Sequence, residues 1–196
     1  MVAYSLASST WDEKELNAIQ KVIDSDMYSM GKFVAQYEQD FALFFGSKYA
    51  VMTSSGSTAN LLMIAALFFK KDNPLKRGDE IIVPAVSWST TYFPLQQYGL
   101  KVKFVDIDLN TLNMDLNQLE SAITDKTRAI LAVNLLGNPN DFAKIQQLID
   151  GKDILLLEYN CESMLTTFNN TFSGTFAVIG TFSSFFSHPI ASLEGG

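Results

Sequence analysis

Four short segments hold the residues of this chain that could do chemistry, and the last of them carries its single histidine, His188. That residue closes the hydroxyl-rich run Thr181-Phe-Ser-Ser-Phe-Phe-Ser-His188. An imidazole with an ordinary pKa of ~6.5 is largely free base near neutrality, whereas a lysine at ~10.4 would be protonated unless desolvated or covalently engaged. Histidine also forms no Schiff base with an aldehyde. The segment therefore points to proton transfer rather than carbonyl capture, with a structural, hydrogen-bonded histidine as the alternative.

The second segment is Ser54-Ser-Gly-Ser-Thr-Ala-Asn60, ahead of an apolar run. Its glycine permits a tight turn, and free N–H groups at a helix start, with hydroxyls beside them, make an anion cradle. Serine and threonine before a helix are also ordinary caps, and no Gly-Lys-Ser/Thr follows to make a Walker loop. The third segment, Pro84-Ala-Val-Ser-Trp-Ser-Thr-Thr91, sets Trp88 just past an apolar run, as core or as a flat platform for a planar ligand. The fourth, Glu158-Tyr-Asn-Cys-Glu162, puts two carboxylates directly after a fully apolar stretch, where an ordinary solvated face is not expected. Asn134-Leu-Leu-Gly-Asn138 adds amide donors after another such stretch.

Positioning these segments requires alternating helices and strands. Thr10-Trp-Asp-Glu13 has a capping-box pattern, and Leu16, Ile19, Val22 and Ile23 continue it as a helix to Asp24. Residues 33–45 repeat apolar side chains at helical spacing and stop before Gly46. Residues 59–69 form an apolar helix suited to packing on a sheet, and residues 116–123 and 142–149 complete the helices. Strands are expected at 49–52, 80–83, 101–105, 129–133, 153–157 and 178–185. The alternation implies an α/β fold with a mainly parallel sheet and helices on both faces. In such sheets ligands sit beyond the carboxyl ends of the strands, where all four segments fall.

Composition excludes several partners. Lys+Arg 14 against Asp+Glu 21 gives a net charge of −7 without a basic cluster, which argues against nucleic acid and anionic membrane surfaces. One cysteine, Cys161, excludes an intramolecular disulfide framework and a cysteine-based metal site, and fits a reducing, cytoplasmic setting. No metal is expected. With 47% hydrophobic residues and 15 Phe, the chain has ample material for a packed core, and its longest apolar run, 61–69, is too short to span a bilayer.

Ser54–Asn60, Val83–Thr91, Val133–Pro139, Glu158–Met164 and Gly180–Gly196, in this order and spacing, resemble the DegT-type nucleotide-sugar aminotransferase family, fold-type I enzymes that use pyridoxal 5′-phosphate. The resemblance implies the large domain of that fold over 31–196, left incomplete, after an N-terminal helical segment at 1–30, with the C-terminal small domain absent. Ordinary members carry the Schiff-base lysine in the last segment; the 3-dehydratase branch, of colitose synthesis, carries histidine there. By the same resemblance Gly56, Ser57, Thr58 and Ser183 would cradle the cofactor phosphate. Trp88 would stack on its ring, Glu162 would lie near the ring hydroxyl, and His188 would act as general base. The cofactor would serve as pyridoxamine 5′-phosphate, the substrate would be GDP-4-keto-6-deoxy-D-mannose, L-glutamate would restore the amine, and the enzyme would be a homodimer. The alternatives are a nucleotide-sugar 4-aminotransferase and a non-catalytic remnant of the fold.

The chain departs from that family at three places. Tyr159 stands where members carry the aspartate that keeps the pyridine nitrogen protonated, and a phenol with pKa ~10 does not replace it. Leu165 stands where a glycine is usual, at a point expected to need room or a positive φ, and Pro189 follows the histidine in place of a second histidine. The sequence ends at Gly196, about halfway through the family's length, so the expectation is a fragment without measurable activity.

Overall fold

The strands form where short apolar runs are bounded by turn residues, and their alternation decides what each face buries. The computed structural model describes residues 9–196; positions 1–8 of the expected N-terminal segment lie outside the described residues. Four strands, β1 (Glu80–Pro84), β2 (Lys101–Val105), β3 (Thr127–Val133) and β4 (Leu155–Tyr159), and a short fifth, Ile179–Thr181, make one parallel sheet. A two-stranded hairpin, β5 (Thr167–Phe168) and β6 (Thr171–Phe172), lies between, so Ile179–Thr181 is β7 and the sheet order is β2-β1-β3-β4-β7.

Ile81, Val83, Leu131, Val133, Leu157 and Tyr159 face one side, where Met63, Ile64 and Leu67 of a helix cover them. Ile82, Ile130, Ala132 and Leu156 face the other, against Leu119, Phe142 and Ile145. Each such side chain, taken fully out of water, is worth about 1.5–3 kcal/mol, so the two layers together fix the sheet. The covering elements are α3 (Gly56–Phe69) on the first side, and α5 (Leu116–Ala122) and α6 (Phe142–Ile149) on the second, numbered after α1 (Glu13–Asp24), α2 (Lys32–Phe45) and with α4 (Ser89–Gln97). In α3 the buried residues Asn60, Met63, Ile64 and Leu67 recur at three and four positions, which makes one helix face.

Several expectations are corrected. The cap of α1 is Asp12 rather than Thr10: its carboxylate accepts the Lys14 N–H at 2.7 Å, and its own N–H donates to Glu15 at 2.8 Å. Residues 49–52 form no strand: among the described residues no backbone carbonyl accepts their N–H groups, and Met52 donates its own to the Glu38 side chain. The last strand is three residues long instead of eight, and β4 runs on through Glu158 and Tyr159. Helix α4 and the β5–β6 hairpin had no clear periodicity to announce them, and Pro94 inside α4 disguises it further. At Leu165 the backbone does take φ +71°, the left-handed region in which a side chain costs about 1–2 kcal/mol.

Candidate active site

The N-terminus of α3 is built as a cap. Ser55 accepts the Thr58 N–H at 3.2 Å, and the Thr58 hydroxyl accepts the Ser55 N–H at 2.9 Å. This ties Thr58 to the cap and leaves the N–H groups of the first turn, those of Gly56 and Ser57, free of helix partners. Gly56 is buried against Ser183: a Cβ there would stand 2.7 Å from the Ser183 Cβ and 3.0 Å from the Cys161 Sγ. Only glycine lets the turn approach the segment after β7 so closely. Ser183 is itself buried, and its Oγ accepts the Phe185 N–H at 3.2 Å.

Asn60, which sequence reading passed over, secures this arrangement. Buried in α3, it donates to the Thr90 carbonyl at 3.4 Å and accepts the Thr181 hydroxyl at 2.8 Å, tying α3 to α4 and to β7. The available signal was a lone amide at the start of an otherwise apolar helix.

The pleat of β4 separates the carboxylate cluster that the sequence presented as one. Glu158 points toward α6 and is fully buried, accepting N–H bonds from Gly174 (2.6 Å), Phe176 (2.7 Å) and Ala177 (2.9 Å). Burial pushes its carboxyl above the usual range, and those donors pull it partly back. Glu158 is thus a structural clamp on residues 174–177. Asn134 is likewise spent internally, bonded to Asn160 at 2.6 Å and to the backbone N–H of Asn140 at 2.9 Å, and offers nothing to a ligand.

Tyr159 points the opposite way, into the layer under α3, with Thr91, Cys161 and Glu162 around its hydroxyl. Burial first, then the neighbouring thiol and carboxylate, raise its phenol well above the ordinary value, so the side chain is uncharged near neutrality. Burial also pushes the Cys161 thiol up to about 12. Trp88 ends the loop after β1 and is 68% exposed, which settles its choice against the core.

His188 follows a turn closed by its own N–H to the Phe185 carbonyl at 2.8 Å, and its ring lies 5.7 Å from that of Phe185. Its Nδ1 is buried without a partner, as is Oε2 of Glu162. Burial lowers the imidazole pKa, while Glu162 and the Ser183 backbone pull it upward more weakly. Folding therefore favours the neutral ring. The stability this contributes is present above the unfolded value of ~6.5 and is lost as the pH falls below it. His188 is expected to titrate below its ordinary value by NMR, and Glu162→Gln to move it lower still; a rise in that variant would contradict the assignment of the neighbouring charge.

The sequence model of the DegT/DnrJ/EryC1/StrS aminotransferase family matches residues 9–196. The chain belongs to this family. Across its whole length it is 70% identical to the GDP-4-keto-6-deoxy-D-mannose 3-dehydratase of Yersinia pseudotuberculosis, of which it covers 50%. Two crystal structures of a GDP-4-keto-6-deoxymannose-3-dehydratase are similar at 69% identity, each over 98% of this chain and 50% of theirs. One is an H188N mutant with bound GDP-perosamine (TM-score 0.96), the other holds a trapped PLP-glutamate geminal diamine (TM-score 0.97). The chain thus spans about half the length of the relatives it matches.

The aminotransferase-family site can be tested against pyridoxal 5′-phosphate group by group. The phosphate fits: the start of α3 presents free N–H groups, and the glycine at Gly56 keeps Cβ out of the space shared with Ser183. A ring face fits beside exposed Trp88, and the two unpartnered atoms at His188 and Glu162 are consistent with a polar ligand. The pyridine nitrogen does not fit, because neutral, bulky Tyr159 offers no charge to hold it protonated.

Proposed function

We propose that this chain carries the cofactor-and-base half of a GDP-4-keto-6-deoxy-D-mannose 3-dehydratase site, held silent by Tyr159. The observation that carries the reading is His188: a neutral base with a buried, unpartnered Nδ1, next to the Ser183 backbone that abuts the α3 cradle. Supporting it are the relatives named above, one of them solved with GDP-perosamine and one with a PLP-glutamate adduct.

When bound, pyridoxamine 5′-phosphate supplies an amine for the C4 ketone of the sugar and a ring that takes up electrons as the C3 hydroxyl departs. The chain's own share is limited. Gly56 and Ser57 would hold the phosphate through their backbone N–H groups, with the hydroxyls of Thr58 and Ser183 beside them. Trp88 would cover one ring face and exclude water there, and Glu162 would hold the side of the ring that carries its hydroxyl. His188 accepts a proton at its free ring nitrogen, a step worth about 10²–10⁴-fold in rate. L-glutamate is the amino donor, and a homodimer built on the full length of the relatives supplies the rest of the sugar pocket. A non-catalytic remnant is the second reading, and Tyr159 is the observation that favours it.

The test uses pyridoxamine phosphate, glutamate and the keto sugar. The chain alone is expected to release no 3,6-dideoxy product. Fused to the C-terminal half of the Yersinia relative and carrying Tyr159→Asp, it is expected to release that product, and His188→Asn in the same fusion is expected to abolish it. A stable 4-amino sugar, or undiminished activity without His188, would overturn the proposal.

A further inference from the structure

The segment that carries His188 is a loop with a closed neck. The Ser184 carbonyl accepts the Ser192 N–H at 2.9 Å, the two serine hydroxyls lie 2.7 Å apart, and the Ser184 N–H donates to the Gly195 carbonyl at 3.0 Å. Residues 184–192 therefore leave the sheet edge and return to the same point, as an Ω-loop does. The limb leading to His188 is held from within: the Phe185 N–H donates to the Ser183 hydroxyl at 3.2 Å, and the His188 N–H to the Phe185 carbonyl at 2.8 Å. The limb leading away, Pro189-Ile190-Ala191, has no such bond. Pro189 has no N–H, and among the described residues those of Ile190 and Ala191 find no acceptor.

What holds that limb comes from the other end of the sequence. The indole N–H of Trp11 donates to the Ala191 carbonyl at 3.3 Å, and among the described residues every other hydrogen bond made by 185–191 stays within the loop and its neck. Trp11 is itself fixed from both sides. Its backbone N–H donates to the Ser9 hydroxyl at 3.3 Å, and Asp12, the next residue, is locked in the capping box of α1. The tie reaches the imidazole because the link between them is stiff: Pro189 fixes φ beside His188, so a displacement of Ala191 is transmitted rather than absorbed.

We propose that Trp11 is a positioning residue for His188: its indole holds the outgoing limb of the loop, and Pro189 carries that hold to the ring. The proline that departs from the family pattern thus becomes part of the support. Serving a catalytic base in this way rests on the reading of His188 under the proposed function, whereas the tie itself does not. Without the tie the ring gains water, and burial is what holds its pKa down. Glu162, in the segment after β4, is the charged group that acts on the ring.

His188 is the only histidine, so isotope-labelled histidine gives one imidazole to titrate by NMR in the 196-residue chain. Trp11→Phe keeps a ring but deletes the donor, and it leaves Glu162 in place. It is expected to raise the His188 pKa toward the ordinary ~6.5 and to quicken amide exchange at His188 and Ser192 about two- to tenfold, the worth of one net hydrogen bond. Exchange at Ile82 and Ile130, buried in the sheet, is expected to stay as it was. Pro189→Ala is expected to raise the same pKa, and the double variant to shift it no further than the larger single change, since both act along one path. An unmoved pKa in Trp11→Phe, additive shifts, or faster exchange spread over the sheet would overturn the proposal. No cofactor or turnover enters these readouts, so they are decided apart from the dehydratase reading, which the fusion assay decides.

Discussion

Replacing Tyr159 with aspartate is expected to tighten pyridoxal 5′-phosphate binding by about 10- to 100-fold while making the cofactor-free chain less stable. The ring nitrogen of a bound cofactor would meet only Tyr159, a buried neutral phenol. A carboxylate in its place makes a charge-assisted hydrogen bond, about 1.5–3 kcal/mol, and each 1.4 kcal/mol is tenfold in affinity. Without the cofactor the same carboxylate is buried and unpaired where an aromatic ring filled space, at a cost of about 2–5 kcal/mol. Calorimetry should therefore show a lower Tm for the free variant and a larger rise on adding cofactor than the parent shows. A variant whose Tm ignores the cofactor would leave Tyr159 without the role assigned to it.

Removing the Glu158 carboxylate is expected to have the largest effect on stability, through the fold rather than the chemistry. Glu158→Ala strands the N–H groups of Gly174, Phe176 and Ala177 and opens a void beside Phe176 and Phe168. The expected loss is about 3–5 kcal/mol, which for a domain of this size lowers the Tm by roughly 10 °C. Because folding raises the carboxyl pKa, its contribution is complete below the unfolded value of the group and declines as the pH rises through the folded one. The gap between parent and variant should accordingly widen on acidification. Denaturant melts at several pH values measure it; a loss below 1 kcal/mol would mean that the 174–177 segment is held by something else.

The sequence exposed the scaffold where periodicity was strong. Residues 142–149 form the helix their pattern predicts because one side chain in three to four is apolar and has a layer to enter, and 101–105 form the predicted strand with Val102 and Val105 packed while Phe104 stays exposed. The parallel order followed from the alternation of elements. What stayed hidden depends on contacts distant in the chain. The expected strand at 49–52 has the right residues but no neighbour, and hydrogen bonding needs one. Ending β4 at Leu157 in the sequence reading made Glu158 and Tyr159 look like one polar cluster; two further residues of pleat send them to opposite faces. His188, the glycine at Gly56 and Trp88 stood out as candidates because each is unusual in its setting, whereas Asn60, Thr91 and Cys161 looked ordinary. Their roles come from α3, α4 and β7 meeting at one edge of the sheet.

An absorbance titration with pyridoxal 5′-phosphate separates an intact phosphate cradle from a missing ring-nitrogen partner. The parent chain and Tyr159→Asp are titrated side by side, each with a control in which Gly56→Ala closes the space against Ser183. Weak binding by the parent is expected, with binding about 10- to 100-fold tighter by the variant and loss of both with Gly56→Ala. Equal affinity in parent and Tyr159→Asp, or binding that survives Gly56→Ala, would contradict it.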